Sequence, residues 1–433
     1  MSTSAETTAA WEEDPQGVRG PAPGAEHVAV SPDDAWVAAA WGETLRVMSL
    51  DDGRVALTVR GRTITGLVWL SPEQLLVLRT GERFGVRAVV HAVPDGGVLA
   101  SVPLPEMNAR TSTLSIPAPG PDGSVSAVLV GPARWHGGDR TKIRRRLSYV
   151  LQGPAWEVVA TLDPETLGGL PQLPRARPGC AAMSPDGHEL VVWLGEPLGP
   201  ASGSVPLQRG HLLGLDRQTG RVRWRCRAGL ELDALVGCDP GRWLLRGSDG
   251  LGWSEVGLVD TVTPALLYDS ADDPLRAERQ WPGPSVHLDL HPDRERVLVT
   301  GTQRGDGSTP RTVLTVLDVE TGTRTGAPRL VSDRPLPGAL AVWLGADRAL
   351  AVATKRSRSP MTLTRWDTLS AGPSATSLAL ALPKGFDHPL GLARSPGGRY
   401  LLLCTRPRLA PTRRDAPTLR LCLRAIPAEL LAP

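Results

Sequence analysis

Positive charge in this sequence gathers in a few stretches. Arg134, Arg140, Lys142, Arg144, Arg145 and Arg146 stand around Trp135; Lys355, Arg356 and Arg358 form a second group; Arg406, Arg408, Arg413 and Arg414 form a third; Arg304 and Arg311 flank a further segment. Guanidinium groups donate paired, charge-assisted hydrogen bonds to carboxylates and phosphates, so the chemistry on offer is recognition of an anionic surface. Trp135, beside His136, adds an aromatic anchor of the kind that dominates protein contacts or stacks on a base. Bond-making chemistry has no comparable signal: no GxSxG nucleophile motif, P-loop or HExxH occurs. The five cysteines are odd in number, scattered and without a CxxC pair, which points to neither a disulfide framework nor a zinc site. His287 and His291 are four apart, but in a strand-turn context, where that spacing is not expected to serve a metal. No cofactor, metal or catalytic residue is expected. The plain reading of the same arginines is solubility, since few of the 48 basic residues are lysine and arginine is spread throughout.

The elements that must position these groups are clearest in residues 180–227. Ser184-Pro185-Asp186-Gly187 has the residue order of a type I turn, with a capping Ser, a proline of fixed φ and a glycine that tolerates positive φ. A small apolar run precedes it, and Leu190-Val191-Val192-Trp193-Leu194 follows, apolar at every position as in a strand covered on both faces. A third run ends at Asp216-Arg217-Gln218-Thr219-Gly220, where the glycine can reverse the chain. Then arginine alternates with Val222, Trp224 and Cys226, the pattern of a strand with one packed and one wet face. Such basic side chains suit an outermost strand. The unit is a four-stranded meander that needs a neighbour on each face.

The remaining segments are looser copies of this one. Their first turns are Ser31-Pro32-Asp33-Asp34, Ser71-Pro72-Glu73, Gly120-Pro121-Asp122-Gly123, Cys238-Asp239-Pro240-Gly241, His291-Pro292-Asp293, Gly345-Ala346-Asp347 and Ser395-Pro396-Gly397-Gly398. With the template this makes eight units at a period of roughly 50 residues, or seven if the second or third is not independent. A single core stops growing at about 250 to 300 residues, yet no polar or proline-rich linker divides the 433 residues after the first 26. A ring of stacked sheets removes the conflict, because each sheet packs only on its neighbours. The expected fold is therefore all-β, a single propeller of eight four-stranded blades over residues 27–433. Residues 1–26 form a tail without periodicity. The last unit is short of a good fourth strand, and a segment within residues 11–19 is expected to supply or cover that edge. A basic start followed by an apolar run is missing, and so is any apolar stretch long enough to span a membrane, so a cytoplasmic protein is expected.

The Ser-Pro-Asp-Gly turn before a hydrophobic strand, with Leu317-Asp318-Val319-Glu320-Thr321-Gly322 and one Trp366-Asp367 pair, resembles the WD40-like and related β-propellers. Residues 215–224 are also similar to the repeat of quinoprotein propellers. The resemblance covers nearly the whole chain after residue 26, and the signature Trp-Asp pair occurs in it once. It implies blades lettered a to d from the axis outward, with the b-to-c connections on one rim, the usual partner-binding face. The basic stretches fall in b-to-c connections. The turns of the other rim collect Asp33, Asp34, Asp51, Asp52, Asp186, Asp216, Asp293, Asp318 and Glu320, which are turn formers first. With a net charge of only +3 the disc is nonetheless polarised, a field that steers acidic or phosphate-bearing partners. The favoured function is a non-catalytic scaffold binding an acidic protein surface, including as a subunit of a larger assembly; nucleic-acid or polyanion binding by the same rim is the alternative. An enzyme resembling propeller lactonases or quinoproteins would need Asn, Asp and Glu about a channel metal or adjacent cysteines, and this chain has one asparagine, Asn108, and no such cysteine pair.

Overall fold

The computed structural model describes residues 18–19, 27–80, 85–104, 113–114, 118–119, 125–132, 146–162, 177–195, 210–217, 219, 221–228, 231–239, 241–248, 253–262, 265–269, 277–278, 287–303, 311–332, 340–345, 348–353, 361–367, 377–380, 386–407 and 420–426. Among these residues every regular element is a strand, and the strands fall into eight antiparallel sheets.

Each sheet is a meander. The first holds His27–Val30, Trp36–Trp41, Thr44–Ser49 and Val55–Arg60; the second Ile64–Ser71, Gln74–Thr80, Val86–Ala92 and Val98–Leu104. In the third, Thr113–Leu114 and Ala118–Pro119 both pair with Val125–Pro132, which is followed by Arg146–Gln152 and Glu157–Leu162. Arg177–Met183, Glu189–Gly195, Gly210–Asp216 and Val222–Ala228 make the fourth. The fifth contains Glu231–Asp239, Arg242–Ser248, Trp253–Asp260 and Ala265–Asp269, with Ala277–Glu278 added on the third strand. The sixth is His287–Leu290, Arg296–Gln303, Arg311–Asp318 and Arg329–Ser332, and the seventh Leu340–Gly345, Arg348–Ala353, Met361–Asp367 and Ser377–Leu380. The eighth takes Phe386–Arg394, Tyr400–Pro407 and Arg420–Ala425, and its outermost place is held by Val18–Arg19, paired with Arg424 and Leu423.

The turns explain why the strands start and stop where they do. In Ser184-Pro185-Asp186-Gly187, Asp186 Oδ1 accepts from Ser184 Oγ at 2.5 Å and from the His188 N–H at 3.1 Å, while Ser184 Oγ accepts the Glu189 N–H at 2.9 Å. Gly187, at φ 69°, occupies the left-handed position that closes the turn. Ser31 and Asp33 repeat this geometry in the first sheet. At the third-to-fourth strand turns, Asp216 Oδ1 accepts the Thr219 N–H and hydroxyl at 2.8 and 2.9 Å, and Asp318 does the same with Thr321. These bonds hold the Asp216 carboxyl down at about 2, first through the Thr219 N–H, then its hydroxyl and Arg223.

The hydrophobic core lies between sheets. Val47, Leu45 and Ala38 of the first sheet pack with Trp69, Leu75 and Val77 of the second; Leu76, Leu78 and Ala88 of the second pack with Ala127 and Trp156 of the third. Trp193, Leu212 and Trp224 of the fourth meet Leu235, Trp243 and Val259 of the fifth, and Leu244 and Leu258 of the fifth meet Val297 and Leu317 of the sixth. Leu298 and Leu314 reach Ala341 and Trp343, and Tyr400 of the eighth sheet packs against the Val30, Val37 and Leu50 cluster of the first. Among the described residues each of these clusters draws on two sheets, the arrangement of a repeat in which every unit leans on its neighbour.

The alternating edge strand departs from expectation at one residue. Trp224 and Cys226 are buried, but Val222 is 44% exposed, because the pairing of Leu215 with Val222 follows a register shift at Gly214 where the strand begins.

Candidate functional site

Neighbouring sheets stand in parallel orientation, and the contacts between their first turns show it. His291 Nε2 meets the Gly345 carbonyl oxygen at 3.2 Å, linking the first turns of the sixth and seventh sheets. A Cβ on Gly237 would lie 2.9 Å from Pro185 Cδ, linking those of the fourth and fifth. Ser395 Oγ donates to Asp34 Oδ2 at 2.6 Å across the eighth and first. The a-to-b turns therefore share one rim. In an antiparallel meander the c-to-d turns join them, and the b-to-c connections leave from the opposite rim.

Four pairs of strand ends frame the connections that carry the basic residues. Pro132 pairs with Arg146, Gln303 with Arg311, Ala353 with Thr362 and Thr405 with Arg420. Of the candidate residues, Arg146 opens its strand and Arg406 lies in Tyr400–Pro407, paired with His388. Arg134, Trp135, Arg140, Lys142, Arg144, Arg145, Lys355, Arg356, Arg358, Arg408, Arg413 and Arg414 lie outside the described residues.

The acidic turn residues hold their own backbone. Asp52 accepts the Arg54 N–H at 3.0 Å, and Asp293 accepts the Glu295 N–H at 2.9 Å and pairs with Arg296 at 2.9 Å. Asp34 corrects the expectation of an acidic surface group: it is fully buried, at φ 57°, with its carboxylate turned into the eighth sheet. A sequence gives no sign of this, because the partner turn is more than 360 positions away.

His287, Asp289 and His291 form a second arrangement that sequence reasoning missed. His287 begins the strand His287–Leu290, and His291 lies just past its end, at the start of the turn. His287 Nε2 lies 2.9 Å from the Leu392 carbonyl oxygen; Asp289 Oδ2 accepts the Trp343 N–H at 2.7 Å, and the Asp289 carbonyl accepts Trp343 Nε1 at 3.0 Å. The His291 ring stands edge-on to Trp343 at 4.7 Å, with Arg296 over the indole at 5.5 Å. Burial, then the charge of Arg246, push the His287 imidazole down to about 4, and burial pushes the Asp289 carboxyl up to about 6. The alternation His-x-Asp-x-His was the available signal. Its partners are backbone groups and the Trp343 indole of the following sheets, so it ties the sixth sheet to the seventh and eighth. Among the described residues no three His, Cys, Asp or Glu side chains are grouped to hold a metal ion.

The chain is similar to solved propellers. It matches the WD40 domain of SCAP from fission yeast at 10% identity and a TM-score of 0.55, over 98% of this chain and 97% of that one. The fold is a β-propeller. The Dos1 propeller matches at 11% identity and a TM-score of 0.53, over 93% of this chain and 92% of that one. A eukaryotic initiation factor gives 11% and 0.53, over 83% and 80%. No protein-family model matches the chain, and no curated protein sequence matches it. Among the described residues no helix is long and apolar enough to cross a membrane.

Proposed function

We propose that this propeller is a non-catalytic interaction scaffold whose basic b-to-c connections bind an acidic surface on a partner protein, including within a larger assembly. On this reading residues 27–433 form one ring, each sheet is one of eight blades, and the tail of residues 1–26 provides the last blade's outer strand. The observation that carries it is the division between the two kinds of turn. Asp186, Asp216, Asp293 and Asp318 of the a-to-b and c-to-d turns spend their hydrogen bonds on local backbone, whereas Arg134, Arg140, Lys142, Arg144 and Arg145 belong to a connection with no turn signature to maintain, and Arg146 begins the strand at its end. Fold alone does not specify function, so the residues of that connection are the ones to test.

The experiment is affinity capture from the native cell with identification by mass spectrometry, comparing the parent with the combined Arg144→Glu, Arg145→Glu and Arg146→Glu variant. The variant should keep the parent's circular dichroism and lose its partner; a partner retained at parent level would remove the proposal. Trp135 among the arginines favours nucleic acid as the second reading. Titrating salt separates them: binding to a single-stranded oligonucleotide should fall steeply with ionic strength through counterion release, and a packed protein contact should fall far less.

A further inference from the structure

The first turn of the eighth blade lacks the aspartate that completes this turn in the first, fourth and sixth blades. In the first, fourth and sixth blades the third turn position is Asp33, Asp186 or Asp293, and one carboxylate oxygen accepts the N–H two residues on. In the first and fourth blades that oxygen also accepts the turn serine hydroxyl. The eighth blade has Gly397 there, in Ser395-Pro396-Gly397-Gly398. We infer that Asp34 of the adjacent first blade supplies the missing carboxylate, and that this exchange is the key by which the propeller closes on itself.

The substitution is atom for atom. Asp34 Oδ2 accepts Ser395 Oγ at 2.6 Å and the Arg399 N–H at 2.9 Å, the same two donors that Asp186 Oδ1 takes from Ser184 and His188. Asp34 Oδ1 adds the Gly397 N–H at 2.9 Å. The rest of the turn is unchanged: the Tyr400 N–H donates to Ser395 Oγ at 3.0 Å, as the Glu189 N–H does to Ser184 Oγ at 2.9 Å. A Cβ on Gly397 would sit 2.7 Å from Asp34 Cγ, so the incoming carboxylate fills the space an aspartate at 397 would occupy. Asp34 in turn stands at the fourth position of its own turn, at φ 57°, where the fourth blade has Gly187 at 69° and the eighth Gly398 at 81°. Aspartate is one of the few non-glycine residues that enter this region readily. The two departures from the repeat are complementary, an extra aspartate at one end of the chain and a missing one at the other.

Around this contact, the Arg399 guanidinium donates to the Asp34 carbonyl oxygen and, at 3.2 Å, to Asp51 Oδ1. The consequence is specificity. The Ser31 and Ser184 turns take their carboxylate from within their own blades, whereas the Ser395 turn takes its carboxylate from the first blade.

The test uses the full chain and amide hydrogen exchange at Gly397 and Arg399. Asp34→Gly is relaxed at this φ but takes the acceptor from three donors; hydrogen bonds to a charged group are worth enough that exchange at both amides should quicken about tenfold or more. Gly397→Asp alone should also loosen the turn, because two carboxylates compete for one space. The double variant, with glycine at 34 and aspartate at 397, should restore slow exchange at Arg399 from within the turn while residue 397 stays fast. Unchanged exchange in Asp34→Gly, or an Arg399 amide no slower in the double variant than in the singles, would overturn the inference. Should Asp34→Gly fail to fold, Ser395→Ala and Asp34→Asn carry the question: their effects on the unfolding midpoint should be strongly coupled, and strict additivity would sink the clasp.

Discussion

Replacing Asp289 by asparagine should stabilise this protein, and only above the acid range. Asp289 projects from the first strand of the sixth blade toward Trp343, accepting its N–H at 2.7 Å. Burial raises its carboxyl from 3.8 to about 6, against the pull of the Trp343 N–H, Arg394 and His291. A group that binds its proton more tightly folded than unfolded contributes most at low pH. Its contribution is complete below 3.8 and is lost as pH rises through about 6. The shift corresponds to a penalty of about 3 kcal/mol at neutral pH for keeping the ionised form inside. Asparagine retains an oxygen for the Trp343 N–H and carries no charge. Its amide NH2 brings a cost of about 1 to 3 kcal/mol if it finds no acceptor, but that cost does not vary with pH. Urea unfolding of parent and variant at about pH 7.5 and about pH 3.5 isolates the effect: the variant should gain about 3 kcal/mol relative to the parent between the two conditions. A stability gap equal at both pH values would refute burial of the charge as the cause.

Gly214→Ala should cost about 3 to 5 kcal/mol, since a Cβ there runs into the Trp224 indole, whose Nε1 donates to buried Glu189 Oε1 at 2.6 Å. Gly345→Ala, with nothing within 4 Å of the added carbon, should be nearly silent in the same urea titration; equal losses would show that sheet glycines matter for backbone reasons instead. Burial pushes the Cys238 thiol up to about 12, so alkylation at mildly basic pH should wait for global unfolding, and rapid labelling of the native protein would contradict its placement. Deleting residues 1–26 removes Val18–Arg19 from its pairing with Arg424 and Leu423 and should lower the melting temperature sharply; an unchanged melting curve would show that the strand is dispensable.

Much of the architecture could be read directly from the chain, because its turn chemistry is local. Ser184, Asp186 and the N–H groups they satisfy lie within six residues of one another, and strand burial follows from runs such as Leu190-Val191-Val192-Trp193, all buried in the folded protein. Eight such units announce a repeat whose members must lean on each other. The basic candidates were equally legible as charge, since they interrupt the repeat at one place in the meander.

What the chain could not announce is which groups meet across blades. Asp34 and Asp33 are adjacent and chemically identical, yet one caps its own turn and the other is buried in a turn at the far end of the chain. Asp289, between two histidines, finds its partner on Trp343 of the next blade rather than in any neighbour along the strand. Short-range hydrogen bonds depend on residue order alone and so are written in the sequence; contacts between blades depend on how the ring brings successive sheets side by side, and that is decided only once the ring has closed.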